Sequence, residues 1–388
     1  MTSNKIVDNN GQKIEFTLDV KSRGAEAMFE NLDTIYVYGY YTDSDGKMKR
    51  CFDETIYPKG IVEFIKDKKG SSYFKSEEPI YWEKAWGDNV TFLAYAPGSH
   101  RNSIDMSQRE FKVIEVTEDE EKNVNVKLDP GSHAKECFDF ITAKTEVNKI
   151  ESRFGIPLVF QHPLSQVELR FVTSENSEYS VDVYAATLCL ANGNRSGDYN
   201  LVNQEFINCI ATGKGLNWSN SAGITIETEA KSVNSEQGGV FFIPDTYKGI
   251  IVENSKFSWS KEKYQYIQLY SKVYDRNRKN VIYPTAGDSN KKFKYRKPTS
   301  SVKSFFEYYN EAEGIPWDEI GISYIVIGNE IEYKAGHKYV ITVNLKDGIG
   351  YFNPADEENP GEPILSNSIS AKVSIDEWSV PDFDNDAN

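Results

Sequence analysis

The chain reads as all-β, with two sandwich domains in tandem, and three observations lead there. Apolar and polar residues alternate with a period of two along most of its length, the signature of strands with one buried face. Helical periodicity is scarce, so the helices that a parallel α/β fold places between strands are missing. Aromatic residues make up 13% of the 388 residues, with 24 Tyr and 21 Phe, and such side chains suit half-buried sheet faces. The length exceeds one ordinary domain, which sets the count at two.

Taken in order, the first strand spans Ile14 to Val20, where Ile14, Phe16, Leu18 and Val20 alternate with Glu15, Thr17 and Asp19. Ile35-Tyr36-Val37-Tyr38 is a second strand, followed by a hairpin turn at Asp43-Ser44-Asp45-Gly46. Val90, Phe92, Ala94 and Ala96 mark a strand closed by Pro97-Gly98, and Val124, Val126 and Leu128 one closed by Asp129-Pro130-Gly131. Patterning lapses from Asn148 to Gly155 and resumes at Ile156-Pro157-Leu158-Val159-Phe160, which puts a domain boundary at 150/151. Later strands carry Val167, Leu169 and Phe171, then Tyr339, Ile341, Val343 and Leu345, then Ile369, Ala371, Val373 and Ile375. Only Ser304 to Glu311 has the spacing of a short helix.

The formal net charge of −15 disfavours nucleic acid as a partner, since phosphate binding needs a surplus of Lys and Arg. It equally disfavours electrostatic adhesion to an anionic membrane. No apolar run reaches the length of a membrane span. Met1-Thr2-Ser3-Asn4 is polar, so the start does not read as a signal peptide, and a cytoplasmic protein and a trimmed exported one both fit. Cys51, Cys137, Cys189 and Cys209 include no CxxC pair and are too sparse for a disulfide scaffold. Cys189, in an apolar stretch, reads as a buried free thiol.

The search for chemistry yields no catalytic residue, metal site or cofactor. No HExxH, GxSxG, phosphate-binding loop or complete GxGxxG is present. His100, His133, His162 and His337 are far apart, and none has a nameable activating partner. If Gly46 took the sixth position of a calcium loop, Tyr41 and Phe52 would fall on the first and twelfth, where neither is a ligand. The acidic loop Asp356-Glu357-Glu358-Asn359 reads as surface. The basic run from Lys291 to Lys297 reads as a solvated loop or a lysine-guarded strand edge, with contact to an acidic neighbour subunit or charged glycan as its alternative.

Several segments in order resemble the fimbrillin family, the type V pilins of the Bacteroides lineage. Pro79-Ile80-Tyr81-Trp82 followed by Val90 to Pro97 is similar to the family's Tyr-Trp segment and its next strand. Asp139-Phe140-Ile141-Thr142-Ala143 and Pro157 to Ser165, with Phe160 and His162, resemble two further elements. Gly336 to Leu345 resembles a late strand, and Ser374-Ile375-Asp376-Glu377-Trp378 the closing one.

The resemblance implies two transthyretin-like β-sandwich domains, residues 1–150 and 151–388, in a non-enzymatic subunit of an outer-membrane-attached fimbria. It implies a lipoprotein precursor whose signal lies outside this chain, with membrane contact only through that lipid. Partners would be other fimbrial subunits and a host or bacterial surface ligand. Maturation would cut after Arg23, before Gly24, where the family often has Ala, and so release the strand carrying Ile14, Phe16, Leu18 and Val20. The groove left behind would take a donor strand, and the C-terminal segment with Trp378, Val380 and Phe383 is one candidate donor. Four inward side chains contribute roughly 6–12 kcal/mol before ordering costs. The rival readings are a monomeric glycan-binding surface lipoprotein or tip adhesin, with Trp82 and Trp86 as its sugar platform, and a secreted hydrolase with a cleft of carboxylates.

Overall fold

A computed structural model describes residues 11–18, 32, 34–67, 73–87, 89–97, 112–119, 122–132, 139–150, 154–232, 239–253, 256–258, 263–285, 292–295, 318–346, 348–352, 362–365, 369 and 371–376. Among these residues the regular structure is all strand apart from two short 3-10 turns.

The first sheet runs β10 (Ile156–Leu158), β1 (Phe16–Leu18), β5 (Tyr73–Ser76), β4 (Val62–Lys66), β2 (Thr34–Thr42), β6 (Asn89–Pro97), β9 (Phe140–Asn148), with β3 (Met48–Arg50) hairpinned onto β2. The sheet curls. Just beyond β10, Gln161 and Thr142 of β9 exchange backbone hydrogen bonds of 2.8 and 3.0 Å, so the last strand is tied back towards the other edge.

A four-stranded sheet orders β14 (Glu205–Ala211), β13 (Asn194–Asn200), β8 (Val124–Asp129) and β7 (Lys112–Glu118). A six-stranded sheet contains β15 (Lys214–Thr225), β12 (Tyr179–Ala191), β21 (Tyr264–Asp275), β24 (Asp318–Val326) and β23 (Lys292–Tyr295), with β22 (Val281–Tyr283) on β21. A five-stranded sheet holds β16 (Lys231–Ser232), β11 (Ser165–Val172), β26 (Lys338–Asn344) and β27 (Ala371–Asp376), with β17 (Val240–Phe242) on β11. Two small ribbons pair β18 (Asp245–Tyr247) with β25 (Ile331–Tyr333) and β19 (Ile251–Glu253) with β20 (Lys256–Ser258).

Alternation explains which faces meet. Val167, Leu169 and Phe171 of β11 and Tyr339, Ile341 and Val343 of β26 share a core with Val183 and Leu188 of β12 and Ile267 and Leu269 of β21, so the five- and six-stranded sheets face each other. The inside of the curled first sheet is a second core, with Phe16, Phe64, Phe74, Val90, Phe92 and Ala94. Its outer face, through Tyr38, Tyr40, Leu93 and Tyr95, packs against Val124, Val126 and Leu128 of β8 and Tyr199 of β13. β6 is therefore buried on both faces.

Besides the Gln161–Thr142 bridge, two strand pairs cross residue 150. β10 lies beside β1 in the first sheet, and β8 pairs with β13 in the four-stranded one. β9 ends at Asn148 and β10 begins at Ile156, and both belong to the first sheet. The hairpin at Asp43 is as expected: Thr42 faces Met48, Gly46 has φ 76°, and the Asp43 carboxylate accepts the N–H groups of Asp45 and Lys47. The segment 304–311 and the loop 356–359 lie outside the described residues.

Candidate functional site

The site is the seat of the N-terminal strand. Trp82 N–H donates to Gln12 O, and Ile14 N–H to Ile80 O, both at 2.8 Å, which lays the chain along the loop after β5. From there β1 pairs on both sides: antiparallel to β5, with Phe16 opposite Phe74, and parallel to β10, with Phe16 opposite Ile156 and Leu18 opposite Leu158. Ile156 N–H also donates to Glu15 O at 2.8 Å. β1 is thus an interior strand that starts at Phe16, two residues after Ile14, and is described as far as Leu18.

Period-two geometry sends Ile14, Phe16 and Leu18 to the inner face. Ile14 is buried, Phe16 has 0% exposure and Leu18 is half-buried against the same core. The Phe16 ring meets Phe64 edge-on, centroids 4.7 Å apart at 89°, and Phe92 at 5.2 Å and 83°. Such T-shaped contacts place a positive ring edge on a negative face, worth about 0.5–1.5 kcal/mol each beyond area burial.

The outer face of β1 is approached as closely. Gly155, at φ +97°, precedes β10, and a Cβ there would stand 2.6 Å from Thr17 Cγ2. Only glycine accepts both that backbone and that approach. Beside it opens a cleft of about 390 Å³, lined by Gln12, Lys13, Glu15, Tyr73, Phe154 and Gly155. Tyr73 is 45% exposed and Phe154 88%.

Where β10 runs into β11, His162 Nδ1 meets Asp139 Oδ2 at 2.5 Å, both residues largely withdrawn from solvent. Burial pushes the Asp139 carboxyl above its ordinary value, with His162 opposing. Burial lowers the His162 value, but the Asp139 carboxylate more than offsets this and leaves it raised. His162 therefore has a hydrogen-bonding partner in Asp139, which sequence reasoning did not name. The pairing spans 23 positions, so no local spacing signals it.

Trp82 and Trp86 are buried, ring centroids 6.0 Å apart, with Trp82 Nε1–H donating to Gly87 O at 3.1 Å. They pack the first core and offer no sugar platform. Cys51 is buried, Cys189 half-buried and Cys209 exposed, all as free thiols. The basic run contributes β23, the edge strand of the six-stranded sheet. Among the described residues, no three His, Cys, Asp or Glu side chains are grouped to hold a metal ion. Ile14, Phe16 and Leu18 come together in the seat. Val20, Arg23, Gly24, Trp378, Val380 and Phe383 lie outside the described residues, as does Cys137.

The architecture is that of an all-β, multi-sheet protein with its N-terminal strand embedded in a core. Residues 22–378 match the fimbrillin-like family, and the chain belongs to it. A crystal structure of a fimbrial protein from Bacteroides vulgatus is similar with a TM-score of 0.50 at 13% identity, covering 94% of this chain and 99% of that one, and shares the fold. A candidate cell-adhesion protein from Bacteroides uniformis aligns over 96% of this chain and 100% of its own, at 12% identity and a TM-score of 0.42. Another, from Parabacteroides distasonis, aligns over 95% and 97%, at 7% identity and a TM-score of 0.40. No curated protein matches.

Proposed function

We propose that the chain is a structural subunit of a bacterial surface fimbria that polymerises by strand replacement. It is exported as a lipoprotein precursor to the outer membrane and carries two transthyretin-like sandwich domains, residues 1–150 and 151–388, joined by the sheets that cross between them. Cleavage after Arg23 releases the strand with Ile14, Phe16, Leu18 and Val20, and a strand of another subunit takes its place. The C-terminal segment with Trp378, Val380 and Phe383 is a donor candidate.

One observation carries this reading: the strand just ahead of Arg23 is interior and hydrogen-bonded on both sides, yet stands at the N-terminal end of the described chain. Its loss would leave an apolar groove with two rows of unpaired backbone groups, a template for strand addition. Limited digestion with an Arg-specific protease, mass mapping and native sizing test it. The expected result is first cleavage at Arg23, then SDS-resistant ladders. A trimmed protein that stays monomeric would overturn it.

A second reading, a glycan-binding surface lipoprotein or tip adhesin, rests on the exposed rings of Tyr73 and Phe154 beside Gln12 and Glu15. Rings with neighbouring polar groups are the usual grip on a sugar. Glycan-array binding lost on Tyr73→Ala with Phe154→Ala would support it.

A further inference from the structure

The three inward positions of the first strand are not equivalent. Leu18 is half-buried, and Ile14 sits ahead of the paired strand. Phe16 alone is enclosed within it, at 0% exposure. The walls of its pocket are Phe64 on β4, Phe74 on β5, Phe92 on β6 and Ile156 on β10, all from parts of the chain that remain if residues up to 23 depart. Two of those rings already stand edge-on to the occupant, so the pocket matches a flat ring in shape and in quadrupole. An aliphatic side chain fills it poorly, and alanine leaves a cavity walled by rigid aromatics.

We infer that this single pocket sets which strand the groove accepts: an extended segment of another subunit that places an aromatic side chain where Phe16 now lies. The inference rests on the strand-replacement reading above. At the Leu18 position the incoming strand is free to vary, because that side chain reaches solvent. The argument for a strand as occupant is the occupant in place: the seven residues from Gln12 to Leu18 are bonded along the groove, and β1 within them pairs on both sides.

The test uses the full chain with a site-specific protease sequence inserted between residues 20 and 32, so that opening does not depend on Arg23. After cleavage, fluorescent peptides of residues 12–20 compete for the groove, read by anisotropy. The peptide variants leave the fold of the body untouched. The native peptide is expected to exchange with the cut strand. F16A should weaken binding by more than about 100-fold and F16L by about 10-fold, whereas L18A costs less than about 10-fold. Equal losses for F16A and L18A, or F16L binding as well as the native peptide, would overturn the pocket's selectivity. Failure of the native peptide itself to bind would overturn strand replacement instead.

Discussion

Phe16 and Phe64 meet edge to face, 4.7 Å between centroids and 89° between planes, across two strands separated by β5 in the sheet. The contact reaches over the intervening strand because the sheet curls, so the N-terminal strand is held by the core as well as by its neighbours.

Replacing Phe16 by alanine should therefore destabilise the intact chain by about 3–5 kcal/mol. Urea unfolding measures it as a lower midpoint at unchanged slope. Leu18→Ala, at a half-buried position, should cost well under half as much.

Gly155→Ala is expected to cost about 1–3 kcal/mol, because φ +97° is strained for any residue with a Cβ and Thr17 Cγ2 lies in its path. Thr17→Ser removes that methyl group. A double-mutant cycle by thermal unfolding should then recover the steric part of the loss and leave the backbone part. Strict additivity would show that Thr17 is not what Gly155 accommodates.

The Asp139–His162 pair gives a pH dependence. Both folded values lie above the ordinary ones, so the folded state binds protons more tightly than the unfolded state does. Stability from the pair is present below the unfolded values and is lost as pH rises through the folded ones. Wild-type stability minus that of His162→Gln should decline as pH climbs from about 6.5 upward. Urea midpoints from about pH 5 to about pH 9 check it, and a difference that grows with pH would reverse the sign.

Cleavage after Arg23 requires that a protease reach it, so Arg23→Gln should shift unfolding stability by no more than about 0.5 kcal/mol. It should also abolish both the Arg-specific opening and the SDS-resistant ladder. Ladders formed without cleavage at Arg23 would detach polymerisation from this strand.

The reading from the linear chain succeeded where one strand has one simple environment. Val124, Val126 and Leu128, like Val167, Leu169 and Phe171, alternate in sequence and are all buried in the fold. It was incomplete where two layers meet: Leu93 and Tyr95 of β6 are buried alongside Phe92 and Ala94, because β8 and β13 cover the outer face. It was also too generous at the end of the chain. Ile375 continues the alternation of Ile369, Ala371 and Val373, yet is 63% exposed on β27, which among the described residues pairs with β26 alone.

The amino-acid sequence by itself determined the all-β class, most strand faces, the hairpin at Asp43 and the family. Each depends on interactions between residues close in the chain, or on motif order. Tertiary structure alone decided that β10 sits beside β1, that Gln161 ties back to Thr142, that Asp139 pairs with His162, and that Phe64, Phe74 and Phe92 enclose Phe16. Those contacts join residues tens of positions apart, and which distant apolar faces come together depends on how whole sheets curl and stack. Local periodicity carries no record of that choice.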